Sequence, residues 1–440
     1  MLLGIVLLVN CPKAGAGELS LSFASALDTA LSENPELRAA GSAAGAGEED
    51  IGIARSRLLP RLSFEERFMR TTNPTYAFSS KLNQERFSTA DFAIASLNDP
   101  QAINDFQTSV SFEQPVFVRQ AYVGLKMAKK EHRARLDDFG RQKEAVAFNV
   151  LKVFLDINTA REFVSASEAG VRDAQEHLRL ARLRYETDLG LYSDVLRAET
   201  GLDEARQMLV SARKNLRVAK RALGLLLGRA GPVDAAGSPP DLPLRELGYY
   251  TAAAGSREDI RSMTLRYENA RNNVELARAG YFPTIGIGGS YFLNDHAAPF
   301  GAEGDSWQVA AFLRWNIFDG TQRGHETSKA RHEARAARAR LSGLVQSVDF
   351  SIHEAYLAVE EAGQNEALAA SALETAREGE RLVRIRYENS LSPIIDLLDA
   401  ELSLQRARAS HVMRKNEYRS AIARLSFESG TLMDDLKLAR

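Results

Sequence analysis

RYETDLGLYSDVLRAE at 184–199 and RYENSLSPIIDLLDAE at 386–401 are one phrase written twice. Tyr185 answers Tyr387, Asp194 answers Asp396, Ala198 answers Ala400 and Glu199 answers Glu401, with no gap between them. The register persists downstream, where Ala205-Arg206 matches Ala407-Arg408 and Gly228 matches Gly430. Gap-free identity over that span marks an internal duplication. Each copy of the phrase separates a proline-free run of roughly 70 residues from a second helical run, so each is the expected turn of a long helical hairpin.

Upstream, the duplication continues at a different offset. Pro35-Glu36-Leu37-Arg38 matches Glu258-Asp259-Ile260-Arg261, Ala54-Arg55 matches Ala277-Arg278, and Leu58-Leu59-Pro60 matches Tyr281-Phe282-Pro283. The expected organisation is a first repeat at 17–230 and a second at 245–430, joined by a linker or irregular equatorial segment at 231–244 rich in Gly, Pro and Asp, with a short tail at 431–440. At the start, 23–40 opens a helix with Ser22 and Ser25 as possible caps, and Asn34-Pro35 starts another that runs to about 58 before Pro60 ends it.

After each of those two prolines the hydrophobic period changes from helical to two. Leu62, Phe64 and Phe68, interrupted by Glu66, alternate with polar residues in 61–69, and Phe106, Val110, Phe112 and Val116 do so in 106–116. In the second repeat Ile285, Ile287 and Tyr291 alternate, then Val309, Ala311, Leu313, Trp315 and Ile317. These give expected β-hairpins at about 61–117 and 284–318, joined within themselves by polar loops at 71–104 and 294–306. Each strand is about ten residues long, the length of a tilted strand crossing a bilayer, with aromatic residues near its ends. Two half-buried hairpins of a soluble α+β domain would show the same alternation. If the strands cross a membrane, four cannot close a barrel, and a bilayer tolerates no open sheet edge. Several chains would then share one barrel.

The helical runs are long. Residues 119–189 and 320–390 would each extend about 100 Å as helix. Val146, Phe148, Val150, Leu151, Phe154 and Leu155 fall on one broad apolar stripe among charged residues. Such helices must pair with the returning runs at 194–227 and 393–425, giving coiled-coil hairpins at about 119–228 and 320–429.

Composition narrows the class. The chain has 440 residues, 45% hydrophobic and 26% charged, so a core is possible and disorder is not expected. A formal net charge of −2 makes no case for a polyanionic partner. The single cysteine, Cys11, lies in MLLGIVLLVNCPKAGAG, which has the shape of a signal peptide at 1–16 with its cut after Ala16. Its apolar core at 2–9 is short and no basic residue precedes it, which suggests a start further upstream. Asn10 is not the small residue that a lipid anchor at Cys11 needs. No later stretch approaches the ~20 apolar residues of a spanning helix.

The twofold repeat, the period-two hairpin after each proline and the paired phrases together resemble the TolC family of outer-membrane efflux proteins, over about 20–430. The resemblance implies a mainly α fold with a small β part. In it a homotrimer pools four strands per chain into one twelve-stranded transmembrane barrel set in outer-membrane lipid, and the helices form a coiled-coil barrel across the periplasm with a mixed belt midway. It implies a passive exit duct of a tripartite efflux or type I secretion system, partnered by a periplasmic adaptor (the membrane fusion protein) and an inner-membrane transporter that supplies the energy.

The family's D-x-x-D in the inner hairpin matches Asp396 and Asp399. At i and i+3 they share one helix face, and copies around an axis would form a carboxylate ring at the pore constriction, attracting cations. The plainer reading is a solvated aspartate favoured by the dipole of a helix start. The first repeat carries Asp194 but Arg197, so only one hairpin type would line the ring. Some family members brace the closed mouth with an arginine in the inner tip, where this chain has Ser392 beside Pro393; Arg197 is the possible substitute for that bracing. Leu189, Gly190, Leu191, Tyr192, Ser193 and Asp194 of the first tip, with Leu391, Ser392 and Pro393 of the second, are the expected adaptor contact. Ordinary helix-hairpin turns would look alike.

The chain carries no recognisable catalytic constellation. His325-Glu326 and His332-Glu333 lack the second histidine of a zinc-protease helix, and the seven histidines are expected to be solvated or interhelical, with no metal bound. Ile285-Gly286-Ile287-Gly288-Gly289 lies in a strand, where glycines mark bending or close packing rather than a nucleotide loop. No phosphate loop occurs, and no cofactor is expected. The basic run at 329–340 lacks interleaved aromatics, so a solvated helix face is expected there and no nucleic acid. A soluble periplasmic coiled-coil scaffold or adaptor protein is the alternative from another functional class, although the β-domain expected of an adaptor has no counterpart here.

Overall fold

The computed structural model describes residues 19–389 and 391–437; the leader at 1–16 with Cys11, Ser390 and the tail residues 438–440 lie outside them. The chain forms two compact units. One takes the described parts of Met1–Ser42, Asp137–Arg261 and Gly343–Arg440, and the other takes Ala43–Leu136 and Ser262–Ser342.

Strand β1 (Leu19–Ser22) leads into α1 (Phe23–Glu33), which Ser22 caps by accepting the Ser25 N–H at 3.3 Å. Asn34 then does two jobs. Its Oδ1 accepts the Leu37 N–H at 3.0 Å to start α2 (Pro35–Ser56), and its Nδ2 donates to the Leu226 carbonyl at 2.8 Å. Strand β2 (Arg61–Thr71) follows. The expected open loop at 71–104 is instead folded into α3 (Pro74–Asn83), a 3₁₀ turn (Thr89–Phe92) and α4 (Ile94–Asn98). Asn73 accepts from the Thr75 and Tyr76 N–H groups with Pro74 in the first turn, a helix start that a polar composition hides. Phe78, Phe87 and Phe92 pack edge-on, and Ser80 and Gln84 donate to the buried Asp105 carboxylate at 3.1 and 2.9 Å.

Strand β3 (Ile103–Phe117) returns to α5 (Arg119–Glu186), of 68 residues, and α6 (Tyr192–Leu226) comes back along it. The segment expected to be an irregular linker carries β4 (Val233–Ala236), which pairs in parallel with β1, Leu19 opposite Val233. Then come α7 (Leu247–Ala254), α8 (Glu258–Ala279), β5 (Thr284–Asp295), β6 (Gly304–Arg314), α9 (Gln322–Glu388), α10 (Ile394–Ser429) and α11 (Leu432–Asp435). The alternation read through Trp315 and Ile317 outruns β6. Its partner β5 starts only at Thr284, behind a proline with no N–H, so Thr284 opposite Arg314 is the last pair. Trp315 turns to donate its indole N–H to the Tyr281 carbonyl at 3.1 Å.

The four long strands form one antiparallel sheet in the order β2-β3-β5-β6. The register lines up Phe64, Val110, Tyr291 and Trp307 in one row, and Leu62, Phe112, Gly289 and Val309 in the next. Side chains alternate across a sheet, so these rows share one face. That face is apolar and solvent-exposed, Trp307 to 74%. The opposite face carries the row Ser63, Ser111, Ser290 and Gln308, with the Ser111 and Ser290 hydroxyls 2.7 Å apart. Gly286 sits under the Phe312 ring, where an added Cβ would collide with a ring carbon. That close packing explains the glycines better than any phosphate loop does. Among the described residues no helix is long and apolar enough to cross a membrane.

In the other unit Val146, Val150, Leu151, Phe154 and Leu155 are buried together with Leu27, Leu223, Leu227 and Val233, and Phe23 meets Phe154 edge-on at 5.5 Å. The second repeat supplies Val348, Ile352, Ala355 and Val359, at coiled-coil spacing, against Tyr250, Ile422 and Leu425. Gly228 and Gly430, matched in sequence, both have a left-handed backbone, with φ of 68° and 77°. After each, the next N–H reaches back five residues, Arg229 to the Gly224 carbonyl and Thr431 to Ser426, at 2.8 and 2.9 Å. The duplicated sequence thus ends both return helices with the same cap.

Candidate functional site

The repeated phrase folds as two helix ends of the same kind. At the first tip the Leu189 N–H bonds the Arg184 carbonyl at 2.8 Å and the Asp188 N–H bonds Tyr185 at 3.1 Å, with Asp188 at φ 57°. That is a Schellman stop with an aspartate in the place glycine usually takes. At the second tip the Leu391 N–H bonds the Arg386 carbonyl, again at 2.8 Å. Leu191 and Pro393 then open α6 and α10 from extended backbone, without side-chain caps.

Between the tips lies a cleft of about 540 Å³. Leu189, Gly190, Leu191, Asp194, Leu391, Ser392 and Pro393 line it, together with Arg184 and Tyr387. The structure thus brings together all the expected tip residues except Tyr192 and Ser193. Tyr192 packs on Tyr185 with centroids 5.4 Å apart, and Ser193 is exposed. Gly190 is closely packed, since a Cβ there would stand 3.0 Å from the Arg184 Cβ.

Arg184 holds the two tips to each other. Its Nη2 donates to the Tyr387 carbonyl at 2.5 Å, and its guanidinium lies 4.0 Å from the centroid of the Tyr387 ring. Tyr387 is buried among Ala181, Val195, Ile394 and Leu397, drawn from both hairpins. Burial pushes its phenol above the ordinary tyrosine value, against the opposing pull of Arg184. Within one chain Arg184 makes this contact between the tips, whereas Arg197, the expected bracing residue, is exposed on α6. The Arg-Tyr pair opens both copies of the phrase, but the sequence does not say which arginine crosses to the other tip.

Asp396 and Asp399 both project from α10 in exposed positions, Asp396 in its first turn. Asp399 lines a groove of about 440 Å³ with Arg197, His177 and Glu401, and Asp396 lies outside that groove. His177 and Glu401 are both buried and meet Nε2 to Oε2 at 2.6 Å, and Gln405 donates to the other Glu401 oxygen at 3.2 Å. The pair ties α5 of the first repeat to α10 of the second, as an interhelical histidine should.

Among the described residues the one trio of metal-ligating side chains is Asp295, His296 and Glu303, at the end of β5 and in its connection to β6. Its members are already engaged. Asp295 accepts the Ala297 and Ala298 N–H groups at 2.7 and 3.0 Å, and His296 Nδ1 lies 2.7 Å from Glu303.

The chain is 24% identical to the protein CyaE of Bordetella pertussis over 431 residues, covering 96% of this chain and 86% of that protein. It is 23% identical to the alkaline protease secretion protein AprF of Pseudomonas aeruginosa, covering 93% and 84%. The fold is shared with a membrane protein of Pseudomonas aeruginosa at a TM-score of 0.79 and 20% identity, over 95% of this chain and 98% of that one. The model of the outer membrane efflux protein family matches residues 26–229 and 249–431, nearly everything the two repeats contain, and the chain belongs to that family.

Proposed function

We propose that three copies of this chain close their sheets into one barrel, and that the hairpin tips form the gated inner mouth of the resulting duct. The chain is an outer-membrane efflux channel of TolC type that extends into the periplasm and serves as a passive exit duct beside adaptor and pump components. Family membership decides for the duct over the soluble scaffold. One observation supports closure by further copies, the number three being what the family resemblance implies: a four-stranded sheet with an exposed apolar face whose outer strands, β2 and β6, have no further partner among the described residues. Such a sheet in lipid must be completed by other copies.

In this reading the chain performs no catalytic step of its own. The Arg184–Tyr387 clasp and the shared tip core keep the mouth shut, and an adaptor prises the tips apart by binding at Leu189–Asp194 and Leu391–Pro393. Asp396 and Asp399, repeated around the axis, form a cation-attracting constriction. Planar-bilayer recording of purified protein tests this. Small, long-lived openings blocked by multivalent cations are expected, and in the Asp396→Ala/Asp399→Ala double variant that block should weaken while the oligomer persists. Undiminished block in the double variant would remove the ring from the mechanism. The related AprF is named for alkaline protease secretion; a protein cargo exported by a type I system is the reading that this relative favours.

A further inference from the structure

We propose that an arginine flank of α9 and a glutamate flank of α2 are the two halves of one contact, made between neighbouring copies of this chain. The inference rests on the closure of copies into a ring. It starts from the order of the helices. Asp50 of α2 meets Arg135 of α5 at 3.0 Å. Further along, α5 meets α8 through Lys126 and Glu275 at 3.4 Å and through Glu131 and Arg266 at 3.5 Å. Finally, Asn273 of α8 donates to Glu333 of α9 at 3.3 Å. The series α2, α5, α8, α9 repeats the strand order above it, so among the described residues α2 and α9 stand at its two ends.

The outer sides have opposite charge. On α2 the residues facing α5 are Gly47 and Asp50; a Cβ at Gly47 would stand 3.0 Å from Arg135. Gly45, Glu49 and Gly52, spaced by four and three, share the far side. Neither of those glycines has a foreign atom within 4 Å of its Cβ position, and Glu48 and Glu49 are exposed. On α9 Thr327 and Ala330 are buried, and Lys329 and Glu333 pair on the side of α8. Arg331, Arg335 and Arg338, also spaced by four and three, take the other side, all exposed. Among the described residues none of these arginines and neither glutamate has an ion pair.

Ring closure brings the two sides together. When β6 of one copy pairs with β2 of the next, α9, which follows β6, falls beside α2, which precedes β2. Counted from the sheet-side helix ends, Glu49 lies about 10 Å down α2, and Arg331 to Arg335 about 13 to 20 Å down α9. Extended glutamate and arginine side chains span that offset, and the glycines of α2 let the helices approach. The basic run is thus neither a solvated face nor a nucleic-acid surface. It is one side of a charged seam that sets which edge of one copy accepts which edge of another.

Full-length protein extracted from outer membranes tests the seam. Two cysteines, Glu49→Cys and Arg335→Cys, introduced into a Cys11→Ser background should give chains linked to one another on mild oxidation. Arg331→Glu/Arg335→Glu should lower the temperature at which the oligomer falls apart by about 3 °C or more, and adding Glu48→Lys/Glu49→Lys should restore it. A stable oligomer with no crosslink, unchanged melting and altered ion selectivity after the arginine reversal would overturn the seam and place the arginines on the passage, leaving the ring intact. A wild-type chain that amine-reactive crosslinkers capture only as a monomer would overturn the ring itself.

Discussion

Arg184 does with one side chain what the hairpin needs at its far end. A planar guanidinium can lie over a ring and still donate in its own plane, so the same group stacks on Tyr387 and holds its carbonyl. A cation–ring contact contributes from about 0.5 kcal/mol where exposed to about 2 kcal/mol where desolvated, and Arg184 is half-buried. Arg184→Ala should therefore open the mouth, read as larger and more frequent conductance steps in a bilayer, and Arg184→Lys should recover only part of the closure. An unchanged conductance would assign the clasp to stability alone. A second residue gives a pH test. Burial raises the Asp156 carboxyl above its ordinary value of 3.8, and a bond from Asn416 partly offsets this. A raised carboxyl favours the protonated folded chain, so its stabilising contribution is complete below 3.8 and is lost as pH climbs through the raised native value. Subtracting the denaturation profile of Asp156→Asn from that of the wild type should isolate a difference falling in that direction. A flat difference would mean that the carboxyl is solvated.

At the scale of elements, glycines mark where backbone and side chain have no slack. Gly286→Val would drive a side chain into Phe312 in the middle of the sheet. Overpacking of that kind costs about 1 to 3 kcal/mol, and the expected outcome is loss of the heat-modifiable form on a gel. Gly430→Ala should destabilise by about 1 kcal/mol through its left-handed φ, measurable by urea unfolding. The long elements were legible in the sequence because their periods run for many residues: the helical stripe from Val146 to Leu155 and the alternation from Leu62 to Phe68 are buried or aligned as expected. What escaped was short or local. Four residues of β4 are too few to show a period, and their partner lies at the other end of the repeat. Helix α3 depended on one asparagine cap and a proline. The alternation through Ile317 was genuine, but alternation alone does not say where the partner strand begins. In the tip, the residue types and turns were legible, whereas the contact of Arg184 with the other hairpin required the fold.

For the whole molecule, the two-repeat plan lets one chain supply two copies of each part that the proposed ring needs. Each repeat supplies one β-hairpin and one helical hairpin, and the sheet joins the repeats through the β3–β5 pairing, with Val110 opposite Tyr291. An assembly of such chains should migrate as an oligomer in unheated detergent and as a monomer after boiling. Migration as a monomer in both conditions would contradict closure. The parallel pairing of β1 with β4 carries a further consequence, in time rather than in space. Leu19 cannot find Val233 until the whole first repeat has been made and exported. The beginning of the folded chain must therefore wait, unpaired, for a segment more than two hundred residues behind it. Closing so distant a contact is slow compared with winding a helix. A nascent chain halted before that segment would hold finished hairpins but no belt, and it would present α1 to whatever chaperone meets it first.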